Sequence, residues 1–301
     1  MRLVFTTDWH LCSKKPFRRT DSDFLEVQLK KVDEIINYCI DTKVDVVIHG
    51  GDVFDVPVPD YWLLNEVVPR LRKLRRAKIP CYIVYGSHDM FGYNIKSIGR
   101  DTGVGTLLHA GLFRSLIGPM EIYGVPFHGI PAMLYHTVDV YKNITKKTII
   151  VTHNMVVPEF LPFEHVLFDD LRFCLGNVFL CGHYHKVFFI KKKQNVFVNT
   201  GPLVRTDKRE ADHTPNFILL EYGTKLKISR VPISCKPASF DFSERTEGLP
   251  NFIETLQLTH FNFLDLFDLT RKVAQQEDIT EPILTEALDR LHKAQQVIYG
   301  N

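Results

Sequence analysis

The sequence predicts a layered α/β domain built around parallel strands. Two observations carry this. Runs of β-branched and apolar residues alternate with stretches of helical periodicity, and five of those runs lead into short motifs of Asp, His and Gly. A buried strand that ends in Asp or His delivers a ligand to the rim of a sheet.

Residues 2–7 read as the first strand and end in Asp8-Trp9-His10. Leu25, Leu29, Val32, Ile35, Ile36 and Cys39 recur at helical spacing over residues 24–40. Residues 44–48 then form a second buried strand, which leads into Gly51-Asp52-Val53-Phe54-Asp55. Leu64, Val67, Val68, Leu71 and Leu74 repeat the helical pattern over residues 61–78, where Pro69 should kink or divide the helix. The strand at 81–85 leads into Gly86-Ser87-His88-Asp89. This βαβαβ rhythm predicts parallel pairing with right-handed crossovers.

Beyond residue 105 the strands shorten and turn signals crowd in, and the strand-like runs 107–113, 120–123 and 148–152 read as the second half of the core, the last ending at His153. The run 178–181 leads into Gly182-His183-Tyr184-His185, and residues 187–190, 196–198, 217–222 and 226–231 predict a β-rich finish. A main domain over 1–232 is therefore followed by a Pro-, Ser- and Glu-rich linker over 233–249 and a helical region over 250–301. Helices are expected over 251–258 and 262–273. A third is N-capped by Thr280, carries Pro282 in its first turn, and lines Leu284, Leu288, Leu291 and Ala294 on one face before Gly300 ends it. The group Phe261, Phe263, Leu264, Leu266 and Phe267 is more apolar than a lone surface helix requires, so it either packs back on the domain or docks onto a partner.

A chain of 301 residues with 45% hydrophobic and 24% charged residues can bury one large core and a small appendage. No apolar run approaches the ~20 residues that span a bilayer. Arg2-Leu3-Val4-Phe5 runs straight into a motif, which removal of an export signal would destroy. The six cysteines lack any CxxC and read as reduced core thiols of a cytosolic protein. A net charge of +2 names no partner. Locally, Arg70, Arg72, Lys73, Arg75, Arg76 and Lys78, like Lys191–193, read as solvated faces. Lys14, Lys15, Arg18 and Arg19 must lie beside whatever Asp8 and His10 bind.

Asp8 and His10, two residues apart, point to one side of an extended strand end, so a carboxylate and an imidazole can share a cation. Asp52 follows two glycines that allow close backbone approach, and its two oxygens can bridge two ions. His183 and His185 share a side but could each serve a different ion, and His153 supplies a further nitrogen. Mixed oxygen and nitrogen donors without cysteine suit manganese, iron or zinc better than calcium or a structural zinc. Two such ions about 3.5–4 Å apart neutralise a phosphate under attack and lower the pKa of a water from about 15.7 to about 7. His88 is the candidate proton donor to the leaving alkoxide, with Asp89 as its candidate orienting carboxylate. Each motif alone is common; all five in this order are specific.

The set Asp-Trp-His, Gly-Gly-Asp-Val-Phe-Asp, Gly-Ser-His-Asp, Val-Thr-His-Asn-Met and Gly-His-Tyr-His resembles the calcineurin-like metallophosphoesterases over residues 1 to about 232. The first motif, and the second with the following Asp55-Val56-Pro57-Val58-Pro59-Asp60, look most like the SbcD-type DNA nucleases, bacterial and phage counterparts of the meiotic-recombination double-strand-break nuclease. The resemblance implies a four-layer α/β/β/α sandwich with two divalent ions, manganese foremost, on the sheet rim. Asp8, His10, Asp52 and His185 would hold the first ion; Asp52, His153 and His183 would hold the second; His88 would be the acid at the scissile phosphate. The family usually has Asn where this chain has Ser87, whose hydroxyl should reach the second ion through water or not at all, weakening that site. Full-size relatives also carry a larger cap after the core, so the short C-terminal region resembles phage-type versions.

The resemblance further implies a homodimer working with an SbcC-like coiled-coil ATPase gripped by the C-terminal helices, in the cytoplasm of a bacterial or phage-infected cell. The expected activity is exonucleolytic on duplex DNA ends and endonucleolytic on single strands or hairpins. Lys14, Lys15, Arg18, Arg19 and Arg205 are candidate phosphate contacts, and Lys208 and Arg209 are compatible with that role. Two alternatives share the scaffold: a phosphodiesterase or phosphatase for small nucleotides, and a catalytically weakened scaffold of which Ser87 would be the first sign.

Overall fold

A computed structural model describes residues 1–241 except 136, 143, 145–146, 162–163, 172–175 and 238–239, together with Thr285 and Leu288. The chain divides into two units, Met1–Phe242 and Ser243–Asn301. Thr285 and Leu288 are helical; the rest of the expected C-terminal helices, the apolar group at 261–267 and the partner site assigned to them lie outside the described residues.

In chain order the first half comprises β1 (Arg2–Thr6), α1 (Phe24–Asp41), β2 (Val46–His49), α2 (Tyr61–Arg76), β3 (Cys81–Ile83), α3 (Ile98–Asp101), α4 (Gly103–His109) and β4 (Arg114–Ser115). The second half is β-rich: β5 (Gly118–Ile122), β6 (Val125–Ile130), β7 (Ile149–Thr152), β8 (Val156–Val157), β9 (Val166–Leu167), β10 (Val178–Cys181), β11 (Phe188–Lys192), β12 (Asn195–Asn199), β13 (Asn216–Tyr222) and β14 (Leu226–Pro232). Two six-stranded mixed sheets result, ordered β14-β13-β1-β2-β3-β4 and β11-β12-β10-β7-β6-β5. Strands β1 to β4 pair in parallel, as do β6, β7, β10 and β12, while the hairpin partners β13–β14, β11–β12 and β5–β6 are antiparallel.

The layering follows from strand alternation. Val4, Val47 and Cys81 on one face of the first sheet pack with Val32, Ile36, Val67 and Leu71 of α1 and α2. Leu3, Phe5, Val46 and Ile48 on its other face pack against Phe127, Ile149, Val151, Leu180 and Val198 of the second sheet. Ile150, Phe179 and Phe197 point outward from the second sheet. Among the described residues the 3₁₀ turns Val138–Tyr141 and Phe168–Leu171 and the short β8–β9 pair cover them. The central strands β1, β2, β7 and β10 are thus buried on both faces, which is why they read as continuous apolar runs.

Three local expectations are corrected. Residues 107–113 do not form a strand: α4 occupies 103–109, capped by the Thr102 hydroxyl, which accepts the Gly105 N–H, with Val104 and Leu107 turned into the core. Gly103 and Gly105 disguise its helical character, since glycine lowers intrinsic helix propensity. Pro69 does not divide α2, because Pro69 and Asn65, whose carbonyl loses its partner, both lie on the exposed outer face, where that carbonyl can meet water. The segment expected to begin the linker is packed, not free. Ile233 and Phe240 are buried, the Ser234 N–H donates to Glu34, and the Asp241 N–H donates to the Arg18 carbonyl.

Cys39, Cys81 and Cys181 are buried free thiols, Cys12 and Cys235 are half-buried, and Cys174 lies outside the described residues. No helix among the described residues is long and apolar enough to cross a membrane.

Candidate metal centre

Each of the five motifs follows the C-terminal end of a parallel strand: Asp8 and His10 after β1, Asp52 after β2, Ser87 and His88 after β3, His153 after β7, and His183 and His185 after β10. Backbone bonds carry the pairing past the strands and lock the loops together. The Gly50 N–H donates to Thr6, Asp8 to Gly51, His10 to Asp52 and Gly182 to Thr152. The His183 N–H donates to the Asp8 carboxylate at 3.0 Å, joining the rims of the two sheets.

Three donor groups form there: Asp8, His10 and His185; Asp52, His153 and His183; and, sharing His10, the group His10, Asp55 and His88. Asp52 spans the first two, with Oδ2 3.6 Å from His10 Nε2 and 3.0 Å from His153 Nε2. Asp8 Oδ1 lies 3.9 Å from the Nε2 of His10 and of His153, and 3.7 Å from that of His185. Asp8, His10, Asp52 and His153 are almost wholly buried.

The convergence does not come from the extended backbone expected of Asp8 and His10. Both are left-handed, with φ +49° and +46°, as are Asp52 at +55° and His183 at +76°. Left-handed non-glycine residues are uncommon, and four among six candidate ligands indicate backbone held off its preferred conformation by its surroundings. Two glycines make room. A Cβ on Gly51 (φ +106°) would come within 2.5 Å of His153 Nδ1, and one on Gly86 within 2.0 Å of Asp52 Oδ1.

The imidazoles are oriented from behind. His10 Nδ1 lies 3.3 Å from Asp55 Oδ1, His185 Nδ1 2.6 Å from Glu210 Oε1, and His153 Nδ1 2.7 Å from the Gly50 carbonyl. Each therefore donates from Nδ1 and presents the Nε2 lone pair to the centre, the arrangement typical of ligating histidines. The Nε2 atoms of His10 and His185 stand 3.0 Å apart, and buried His153 Nε2 makes no hydrogen bond of good geometry. Opposed lone pairs and an orphaned buried nitrogen, beside two buried carboxylates, fit divalent cations.

The electrostatics agree. Burial alone would lower His10, but Asp55, Asp52 and Asp8 more than offset it and raise the imidazole to about 10. Burial likewise opposes the charged form of His153, yet Asp52 and Asp8 raise it to about 9. Burial would raise the Asp52 carboxyl, but His153, His88 and His10 hold it well below the carboxylate range. A pocket that draws protons onto its imidazoles is one whose net potential favours cations.

Of the remaining motif residues, Asp89 is placed differently from the expectation. Asp89 does not orient His88. Its buried carboxylate accepts N–H groups from Asp52 at 2.9 Å, Val53 at 3.0 Å and Gly86 at 2.7 Å, tying the second motif to the third. Burial and the Asp52 charge raise Asp89 to about 6 despite those donors. His88 is oriented by main chain: its Nδ1 lies 2.7 Å from the Asp55 carbonyl, and its N–H donates to Asp52 Oδ1 at 2.7 Å. Its ring stands edge-on to His10, with centroids 4.8 Å apart. Ser87 Oγ lies 3.5 Å from Asp52 Oδ2.

Lys14 and Lys15 are exposed on the loop after His10, and Arg18 is half-buried. Arg19 and Arg205, nominated as phosphate contacts, are corrected: both are buried. Arg19 pairs with Asp21, donates to the Arg205 carbonyl and packs against the rings of Phe24 and Phe240. Arg205 donates to the carbonyls of Ala211, His213 and Lys236. Their guanidinium donors hold loops together, leaving none displayed for a ligand.

Sequence reading missed Asp55 and Glu210 as orienting carboxylates. Asp55 was visible as the last residue of its motif, but Glu210 had no local signal. It also missed His49, fully buried beneath the Gly50–Gly51 turn, where its Nδ1 accepts the Gly51 N–H and burial pushes it down to about 3.

The family model for calcineurin-like phosphoesterases matches residues 1–187. The DNA double-strand break repair protein Mre11 of Methanosarcina mazei is 26% identical over 308 residues, covering 95% of this chain and 48% of that protein. Its namesake from Methanosarcina acetivorans is 26% identical over 312 residues, covering 95% and 49%. The chain thus spans about half the length of these curated relatives. Among solved structures, a dimetal phosphatase from Danio rerio superposes with a TM-score of 0.49 at 9% identity, over 78% of this chain and 99% of that one.

Proposed function

Because the chain belongs to the calcineurin-like phosphoesterase family, we propose that it is a divalent-cation-dependent DNA nuclease that cuts phosphodiester bonds in end processing during recombination or repair. The observation that carries this reading is the convergence of the Asp8–His10–His185 and Asp52–His153–His183 groups on one rim, with His88 beside them. The first group, with Asp52 at 3.6 Å from His10, would hold one ion and the second group the other. The donor set suits manganese. When bound, the two ions supply Lewis-acid stabilisation of phosphate charge and a water acidified into the neutral range.

The protein's own residues supply positioning and a proton. With Nδ1 on the Asp55 carbonyl, His88 has Nε2 available to protonate the leaving alkoxide. Asp52, fixed by the Asp89 contacts to its turn, accepts the His88 N–H and so holds the acid against the cation groups. DNA is favoured over a small nucleotide by the match to two double-strand break repair proteins across 95% of this chain. The exposed Lys14 and Lys15 beside His10 supply cations for a phosphate backbone.

The same reading assigns residues 250–301 to an SbcC-like coiled-coil ATPase and the assembly to a homodimer. A chain truncated at 249 should keep manganese-dependent cleavage and lose the complex; co-elution with the ATPase would refute the assignment. The activity itself is tested with end-labelled duplex DNA and manganese, with and without chelator, beside a nitrophenyl phosphodiester. Chelator-sensitive DNA cleavage is expected. Turnover of the small diester with intact DNA would replace the nuclease by a small-nucleotide phosphodiesterase.

A further inference from the structure

We propose that Glu210 is a positioning residue for the first cation site, setting the affinity of that site through His185. This rests on the reading of Asp8, His10 and His185 as ligands of one ion. Glu210 is 8% exposed and uses both oxygens: Oε1 accepts from His185 Nδ1 at 2.6 Å, and Oε2 accepts the N–H groups of Thr206 at 2.8 Å and Asp207 at 3.1 Å. It closes a 3₁₀ turn, Lys208–Glu210, for which Asp207 is the N-cap, so the carboxylate is anchored by main chain and cannot follow the imidazole. His185 is the most exposed side chain of its group, at 31%, against 4% for His10 and 0% for Asp8. Burial together with Asp55 behind His10, and with the Thr7 hydroxyl and His183 N–H on Asp8, fixes the other two; partly exposed His185 depends on Glu210 for its ring orientation.

A carboxylate behind an imidazole fixes the tautomer and raises the basicity of the ligating nitrogen. Both histidines of the first group have one, Asp55 for His10 and Glu210 for His185. His153 of the second group is backed by the neutral Gly50 carbonyl. With Ser87 standing where the family usually has Asn, the second site is the weaker of the two, and Glu210 contributes to the affinity of the first.

The test is a calorimetric titration of the full chain with manganese, compared among wild type, Glu210→Ala, Glu210→Gln and Asp207→Ala. Asp207→Ala removes the cap from the same turn but leaves the His185 contact. Wild type should bind a tighter and a weaker ion. Glu210→Ala should lose on the order of 10–100-fold in affinity for the tighter ion and leave the weaker one unchanged. Asp207→Ala should match wild type. If Glu210→Ala does not fold, Glu210→Gln, which keeps the volume and removes the charge, should lose on the order of 10-fold. Unchanged tight binding in a folded Glu210 variant overturns the proposal, as does an equal loss in Asp207→Ala. A wild-type chain that binds no manganese overturns the ligand reading as well, whereas one that binds two ions without cutting DNA overturns only the nuclease reading.

Discussion

The Nε2 atoms of His10 and His185, 175 residues apart in the chain, stand 3.0 Å from one another. Each ring gives its Nδ1 proton to a carboxylate, Asp55 or Glu210, so two lone pairs face the same point. Such an arrangement is unfavourable unless a proton or a cation sits between them. Its energetic consequence is the first prediction.

Manganese should raise the thermal unfolding midpoint, by an amount corresponding to about 2.7 kcal/mol at a hundredfold excess over its dissociation constant. Chelator should reverse the shift, and His10→Ala combined with His185→Ala should abolish most of it. Scanning fluorimetry with and without manganese reads this directly; identical midpoints would remove the basis for the first site.

His88→Ala should bind manganese and DNA as wild type does while losing about 10²–10⁴-fold in cleavage rate. The ring stands edge-on to His10 in the His10–Asp55–His88 group and belongs to neither of the two groups read as ligand sets, so its loss should spare them. Single-turnover cleavage beside equilibrium metal binding separates the two effects. Lost metal binding would make His88 a ligand rather than an acid.

Asp89→Asn should destabilise the fold by about 3 kcal/mol, because an amide nitrogen would face N–H groups that the carboxylate now accepts from Asp52, Val53 and Gly86. Urea unfolding without metal measures it. A change under about 0.5 kcal/mol, the range of neutral surface substitutions, would show that the tie between the two motifs is dispensable.

Stability should rise with pH above neutrality on account of Lys31. Its ammonium is buried in α1 with Nζ on the Leu203 carbonyl, and burial, then the neighbouring Arg205, pushes it down to about 7 from 10.5. A depressed lysine means that between about pH 7 and 10.5 the unfolded chain binds a proton that the folded chain lacks. Stability therefore climbs through that window, by at most about 1.4 kcal/mol per pH unit, and is flat with respect to this group below it. Chemical denaturation across pH 6–10 should show the slope in wild type and a flatter curve in Lys31→Met; parallel curves would contradict the assignment.

Lys14→Ala and Lys15→Ala should each weaken DNA binding across sequences and reduce the slope of log affinity against log salt by about 0.9. Arg205→Ala should leave that slope alone and instead cost about 1–3 kcal/mol of stability, since the buried guanidinium donates to three loop carbonyls. A salt slope that falls in Arg205→Ala would place this arginine on the DNA after all.

Much of this centre was legible in the sequence, because parallel strands buried on both faces must read as apolar runs and must release their polar residues at the ends. Asp8, His10, Asp52, His153, His183, His185 and His88 were read as strand-end residues that way, and the structure places each of them after a strand. Legibility stopped where a residue's role depends on a partner far along the chain. Glu210 orients a histidine 25 residues away, and the Asp89 carboxylate reaches Asp52 and Val53 at separations of 37 and 36. No periodicity encodes such pairs.

By itself the sequence determined which chemistry is on offer: carboxylates and imidazoles, with no thiolate among them, at the ends of five strand-like runs. Tertiary structure alone decided how they converge and which charged neighbours are free. The left-handed backbones of Asp8, His10, Asp52 and His183 exist because two stacked sheets bring their rims together, and packing, not local preference, holds those torsions. The same packing buries Arg19 and Arg205, whose composition looked like surface charge, because a guanidinium that finds enough carbonyl, carboxylate and ring partners can leave water.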